Sequence, residues 1–330
     1  MPRAILLTQD GGATHAQVTD LDEAHWPDAA VTVEVEYSTL NYKDALAMTG
    51  RGPVVRTWPM VPGIDFAGRV KSSTDPRFVP GAPVVLNGWG VGETRWGGLA
   101  AIARVPAEYL IDLPPALSTK DAMAIGTAGY TAMLCVQALE KAGIRADAGD
   151  VLVTGANGGV GGFAIALLAR RGYRVVASTG RMEEASHLLA VGAAEVIDRA
   201  TLSTLGKPLQ KERWAGAVDS VGGATLANVC AATRYGGLVA ACGLAQSMDF
   251  PASVAPFILR GVTLAGIDSV MAPLARRHLA WEALAREIDA DTLRLLCPRV
   301  LSLEDAIDAA SALLDGQIRG RVMVDPNLVP

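Results

Sequence analysis

Asp150-Val-Leu-Val-Thr-Gly-Ala-Asn-Gly-Gly-Val-Gly161 decides the fold of this 330-residue chain. It begins as an apolar run of strand length and then places Gly155, Gly158 and Gly161 at the spacing GxxGxxG. Beyond the turn, Val160, Phe163, Ala164, Leu167 and Leu168 recur at the i, i+3, i+4, i+7, i+8 spacing that lines one face of a helix. Glycines in that setting let the chain turn tightly, bring backbone N–H groups close to a pyrophosphate and let the helix pack on the strand. GxxGxxG alone is a weak signal. With a strand before it and a helix after it, the segment Gly155, Ala156, Asn157, Gly158, Gly159, Val160 and Gly161 reads as a dinucleotide-binding loop.

Working towards the C-terminus, five more short apolar runs follow: Arg174–Ser178, Glu195–Asp198, Ala217–Val221, Leu238–Cys242 and Thr263–Ile267. Helical segments lie between most of them, which is the pattern of a parallel, doubly wound α/β sheet. The end of the second run should carry the group that reads the adenosine ribose, where an NAD site usually has Asp or Glu. Here it reads Ser178-Thr179-Gly180-Arg181. A carboxylate would repel a 2′-phosphate, whereas a guanidinium pairs with one bidentately, so NADPH is expected over NADH. Arg199, after the third run, is a second candidate for that phosphate; the alternative for both is an ordinary surface arginine.

Working towards the N-terminus, the chain is β-rich, with runs at Ile5–Leu7, Val31–Tyr37, Phe66–Lys71, Ala82–Leu86 and Glu108–Leu113 between Pro and Gly punctuators. Far downstream, Ser302 to Asp305 forms a helix-capping signal before an amphipathic stretch, and a last strand is expected at Arg321–Val324.

Composition bounds the function. Half of the residues are hydrophobic, 19% are charged and the net charge is −5, with no basic stripe for nucleic acid. Cys135, Cys230, Cys242 and Cys297 stand apart with no CxxC pair, which fits reduced thiols and a cytoplasmic setting. Ala122–Leu139 and Val151–Ala169 are uncharged, but their Thr and Gly content fits buried elements better than membrane spans. The opening MPRAILLTQD is too short in its apolar run for a signal segment.

Four segments in order resemble the medium-chain dehydrogenase/reductase superfamily over almost the whole chain: Leu40-Asn-Tyr-Lys-Asp44, Pro62-Gly-Ile-Asp-Phe-Ala-Gly68, Gly126-Thr-Ala-Gly-Tyr-Thr-Ala132 and the glycine loop. Asn41-Tyr-Lys-Asp44, Gly88-Trp-Gly-Val-Gly-Glu93, Ser178-Thr-Gly-Arg181, Ala240-Ala-Cys-Gly-Leu244 and Pro256-Phe-Ile-Leu-Arg-Gly261 look like its acrylyl-CoA reductase branch, which includes quinone-oxidoreductase-like proteins. The resemblance implies a GroES-like β-rich catalytic domain at 1–121, a Rossmann NADPH-binding domain at 122–292 and a segment at 293–330 that returns to the first domain. It also implies a homodimer joined through Rossmann edge strands, where Val262 to Asp268 would serve, and it adds Gly243, Leu244 and Ile267 to the cofactor contacts. Zinc-dependent relatives carry Cys or His and a Gly-His-Glu element where this chain has Asn41-Tyr42-Lys43-Asp44 and Pro62-Gly63-Ile64-Asp65, so no metal is expected.

The implied chemistry is conjugate reduction of a CoA enoyl thioester, with hydride to the β-carbon and a proton to the α-carbon. It needs positioning, donors for an enolate oxygen and an acid. Tyr42 is the candidate at the reacting centre, as a donor or as a wall for the cofactor; Asn41 and Asp44 hold its loop. Thr127 and Thr131 touch the cofactor or bond their own helix. Trp89 and Trp96 wall the substrate side or pack in the core, and Lys43, Arg51 and Arg56 are candidate cations for the CoA phosphates. Two other readings share the cofactor residues: a zinc-free quinone or enone reductase, and an NADPH-binding protein without turnover.

Overall fold

A computed structural model describes residues 1–329. By contact density the chain divides into two compact units, one of Met1–Thr127, Val270–Arg286 and Leu293 onward, the other of Ala128–Ser269 and Glu287–Thr292.

In the second unit, all six expected runs form strands: Asp150–Val153, Val175–Thr179, Glu195–Asp198, Trp214–Asp219, Thr233–Ala241 and Thr263–Gly266. Their spatial order is third, second, first, fourth, fifth, sixth, and every pairing is parallel. This is the doubly wound order in which the chain reverses direction beside the first strand. Val151, Leu152, Val153, Val175, Val176 and Ala177 are fully buried, as expected of a parallel sheet covered on both faces. The helix Gly159–Arg170 departs from the expected single stripe: Ile165 and Ala166 are buried as well as Phe163, Ala164, Leu167 and Leu168. A helix that is apolar all round belongs inside.

In the first unit, Arg299–Leu301, Val322–Val324, Val31–Thr39, Asp65–Ser73, Pro83–Asn87 and Ile111–Asp112 line up in that order, with Ile102–Val105 also paired to Val31–Thr39. The strand from the C-terminal region, Val322–Val324, therefore bonds directly to one from the first forty residues. Only Ile111–Asp112 of the expected strand at Glu108–Leu113 pairs; Ala107–Tyr109 is a 3-10 turn. Pro106 precedes it, with φ fixed and no N–H to give a ladder. A hairpin of Arg3–Asp10 with Ala13–Asp20 turns on Gly11 and Gly12, both at positive φ.

Val270–Arg286 groups with the first unit, whereas the sequence reading ran the nucleotide domain on to residue 292. The physical reason is one guanidinium and one indole. Arg277, 1% exposed, donates to the carbonyls of Asn87 (2.5 Å), Val270 (2.6 Å) and Ala272 (2.7 Å) and lies 4.2 Å over the Trp89 ring. Trp281 Nε1 donates to Asn87 Oδ1 at 3.1 Å.

The helix Thr119–Lys141 is broken by non-helical geometry at Gly126. By length and composition it passes for a membrane span, yet 83% of its most apolar window is buried inside the protein.

Candidate functional site

The glycine loop of the second unit is built from backbone. Gly155 stands at φ 60°, and a Cβ there would collide with Ser220 Oγ. A Cβ on Gly161 would collide with the Gly155 carbonyl and with Ala156 Cα, so this glycine lets the helix start close to the strand end. Gly158 is the N-cap of Gly159–Arg170, which leaves the first-turn N–H groups of Gly159, Val160 and Gly161 outside the helical ladder. Ala156 N donates to Ser178 O at 3.2 Å, tying the loop to the second strand.

The neighbouring polar residues converge on the same place. Asn157 Nδ2 donates to Thr179 Oγ1 at 2.7 Å, and the Arg181 N–H donates to the same hydroxyl at 3.0 Å. Asn157 Oδ1 is buried with no hydrogen-bond partner among the described residues. Arg199 is exposed; its N–H donates to Thr179 O, and its side chain lies across Gly180, where a Cβ would strike Nε. Ser178, Thr179, Gly180, Arg181 and Arg199 are thus gathered at one end of two parallel strands, as the strand pairing of Ile197 with Ser178 requires. A glycine-lined cradle, a free helix start, an orphaned acceptor and two arginines beside the hydroxyls of Ser178 and Thr179 fit a phosphorylated dinucleotide.

Of the remaining expected contacts, Gly243 presses on Ser220, whose carbonyl a Cβ would strike, and Leu244 is 58% exposed beside it. Ile267 lies one strand further out, its N–H on Ala241 O. The sequence reading missed Thr154, Asp219 and Ser220. Asp219, fully buried, accepts from Thr154 Oγ1 at 2.7 Å and from the N–H of Gly222 at 2.8 Å, and burial holds its carboxyl above the usual range. This turn braces the glycine loop through Ser220 Oγ, which donates to Thr154 O at 3.2 Å. A signal was present: Asp-Ser-Val-Gly-Gly223 follows a buried run at the carboxyl end of a parallel strand, where ligands of such sheets gather.

In the first unit, Tyr42 is the first residue of the helix Tyr42–Thr49, 45% exposed, and its hydroxyl bonds no described residue. Asn41 is the N-cap, and its N–H donates to Asp44 Oδ2 at 2.9 Å. Asp44 Oδ1 accepts from Gly63 N (3.1 Å) and Ile64 N (3.0 Å), so one side chain ties together two of the four segments of the resemblance, Leu40–Asp44 and Pro62–Gly68. Burial, and then the charge of Asp65, push the Asp44 carboxyl up to about 7. Thr127 Oγ1 accepts from Asn87 Nδ2 at 3.2 Å, and Thr131 is buried at 4% exposure.

Most of the residues expected on the substrate side have partners of their own. Trp89 is sandwiched between Arg277 and Tyr109, with rings stacked at 5.0 Å, and Trp96 packs edge-on to Trp26. Lys43 is paired with Glu93 at 2.8 Å and Arg51 with Asp315 at 2.8 Å, while Arg56 is exposed and forms no ion pair among the described residues. No group of three or more His, Cys, Asp or Glu gathers as metal ligands among the described residues.

Comparison with known proteins agrees with this geometry. The model for the alcohol dehydrogenase GroES-like domain matches residues 27–115, and that for zinc-binding dehydrogenases matches residues 159–288. The probable acrylyl-CoA reductase AcuI of Escherichia coli strain K12 is 50% identical over 325 residues, covering 98% of this chain and 100% of that protein. The acrylyl-CoA reductase AcuI of Ruegeria pomeroyi is 51% identical over 320 residues, covering 97% of each. The crystal structure of E. coli K-12 YhdH with bound NADPH superposes with a TM-score of 0.96 at 50% identity, covering 98% of this chain and 100% of that one.

Proposed function

The chain belongs to the medium-chain dehydrogenase/reductase superfamily and to its acrylyl-CoA reductase branch, and on that premise we propose that it reduces acrylyl-CoA to propionyl-CoA with NADPH. The observation that carries this reading is full-length likeness at half identity, joined to a ribose-end sequence, Ser178-Thr179-Gly180-Arg181, that lacks the carboxylate of an NAD site. When bound, NADPH supplies the hydride that goes to the thioester β-carbon.

The protein's own part is binding, orientation and proton supply. The backbone of Gly155 to Gly161 would hold the pyrophosphate at the helix start, and Arg181 and Arg199 would pair with the 2′-phosphate beside the hydroxyls of Ser178 and Thr179. Gly243, Leu244 and Ile267 complete the cofactor contacts. Negative charge builds on the thioester oxygen during reduction and is relieved when the α-carbon gains a proton. We assign Tyr42 to that centre: its phenol is solvent-accessible, unspent on the protein, and able to donate to developing charge. A phenol is a weak acid, so the enolate itself must be the base that draws the proton.

Two finer readings accompany this one. Four free cysteines support a reducing, cytoplasmic setting. A homodimer is supported by the outermost strand Thr263–Gly266, followed in the order by no other, near the exposed Val254, Ile258 and Leu259; sedimentation at equilibrium with a monomer mass would reject it.

The experiment is NADPH oxidation with acrylyl-CoA, crotonyl-CoA and a simple quinone in parallel, repeated with NADH. Rapid turnover of acrylyl-CoA with NADPH is expected. Turnover of the quinone alone would replace the substrate, and NADPH binding without turnover of any acceptor would make the chain a binding protein.

A further inference from the structure

We infer that Asp65, acting with Arg321, is a positioning residue that locks the Tyr42 loop and the Gly126–Thr127 joint into one rigid piece. The inference rests on the assignment of Tyr42 to the reacting centre and concerns how that residue is held.

Asp65 is fully buried at the start of the strand Asp65–Ser73, and its two carboxylate oxygens face different segments. Oδ1 accepts from Thr39 Oγ1 at 2.5 Å and from Asn41 Nδ2 at 3.0 Å, immediately before Tyr42. Oδ2 accepts from the Thr127 N–H at 2.7 Å. Arg321, 5% exposed, closes the ring: Nη1 donates to Asn41 Oδ1 at 3.0 Å, Nε donates to Ala124 O at 3.2 Å, and Nη2 stands 3.9 Å from Asp65 Oδ2. The Asn41 amide is therefore held at both ends, by Asp65 on its nitrogen and by Arg321 on its oxygen.

The helix break belongs to the same device. Gly126 adopts φ 51° and ψ −162°, and a Cβ there would collide with the Arg321 guanidinium. Only glycine admits both the backbone turn and the cation beside it. The break exposes the Thr127 N–H, which a continuous helix would have spent on its own ladder, and Asp65 takes it up. From Thr127 the chain of bonds runs on through Asn87 to Trp281. A buried carboxylate and guanidinium contribute little net stability against a well-packed apolar pair, so geometry is what this arrangement supplies.

Asp65→Asn keeps the shape but turns one acceptor into a donor. In one orientation the amide faces the Thr127 N–H and Arg321; in the other it faces Asn41 Nδ2. Either way two donors oppose each other. The control is Ser38→Ala, which removes the buried bond from Ser38 Oγ to the Asp65 carbonyl and leaves the carboxylate untouched. We expect Asp65→Asn to lower kcat by about 30-fold or more with the KM for NADPH within about twofold, while Ser38→Ala keeps kcat, because a displacement near 1 Å costs on the order of a hundredfold in rate. Hydrogen–deuterium exchange should quicken in both 39–46 and 124–131 for Asp65→Asn alone. Equal kcat and equal exchange in the two variants would overturn the inference. Should Asp65→Asn not fold, Arg321→Lys replaces it with the same expected split, and an unchanged kcat and exchange there overturn the inference too. If the wild type fails to turn over acrylyl-CoA, the function reading falls, and the exchange pattern still decides the clamp.

Discussion

The nucleotide loop and the Tyr42 loop are held by opposite means. Gly155 to Gly161 is shaped chiefly by close packing around its glycines: backbone atoms of Gly155 and Ala156 fill the space beside Gly158 and Gly161, and the Ser220 side chain fills it beside Gly155. The Tyr42 loop is shaped by side chains from Thr39, Asn41, Asp44, Asp65 and Arg321, which span nearly the length of the chain. A backbone-built site tolerates changes around it but none in it. A side-chain-built site concentrates its vulnerability in buried charges, whose loss leaves partners unsatisfied.

The largest expected effect strikes the backbone-built side. Gly161→Val drives a branched side chain into the Gly155 carbonyl and Ala156 Cα, which cannot move without the strand, and NADPH affinity should fall by about 100-fold or more in a fluorescence titration. Retained affinity would break the comparison, because the loop would then be adaptable. Next, Tyr42→Phe should lower kcat for acrylyl-CoA by about 10- to 100-fold with NADPH binding intact. An unchanged kcat would leave the ring as a wall and assign the proton to another donor.

Arg181→Ala sharpens the contrast further, since it removes one charged side chain and leaves the backbone of the glycine loop untouched. NADPH should bind about 1 to 3 kcal/mol more weakly and NADH about as before. Equal losses with both cofactors would remove Arg181 from the 2′-phosphate. The smallest effect concerns Asp44. Its folded value of about 7 lies above the ordinary carboxylate value near 4, so the native state holds a proton more tightly, and this contribution to stability is present at low pH and lost as pH rises through about 7. Asp44→Asn should therefore gain on the wild type as pH is raised across that window, with relative melting temperatures shifting by about a few degrees. A pH-independent difference would show that burial does not perturb this carboxyl.

Much of the second unit was legible because its signals are local. Six apolar runs at regular spacing, a glycine loop after the first and Ser-Thr-Gly-Arg after the second sit where the parallel order needs them. The first unit was legible mainly by resemblance. Its helix Tyr42–Thr49 went unread, since eight residues give little periodicity, and the hairpin strand Ala13–Asp20 was hidden by its polar content despite Gly11-Gly12. The segment Val270–Arg286 reads as continuous with the nucleotide unit, yet Arg277 and Trp281 are buried against Asn87 and Trp89. A buried arginine looks in sequence like a solvated one.

By itself, then, the sequence determined the parallel sheet, the glycine turn after its first strand and the Ser178-Thr179-Gly180-Arg181 end of its second. Each depends on backbone conformation and on charge carried by neighbouring residues. Only the tertiary structure decided that Trp89 stacks on Tyr109 and Trp96 packs against Trp26, that Asp219 and Ser220 brace the glycine loop, and that Asp65 and Arg321 meet. Those outcomes depend on which distant atoms share a buried volume, where every donor must find an acceptor, and sequence spacing carries no record of that meeting.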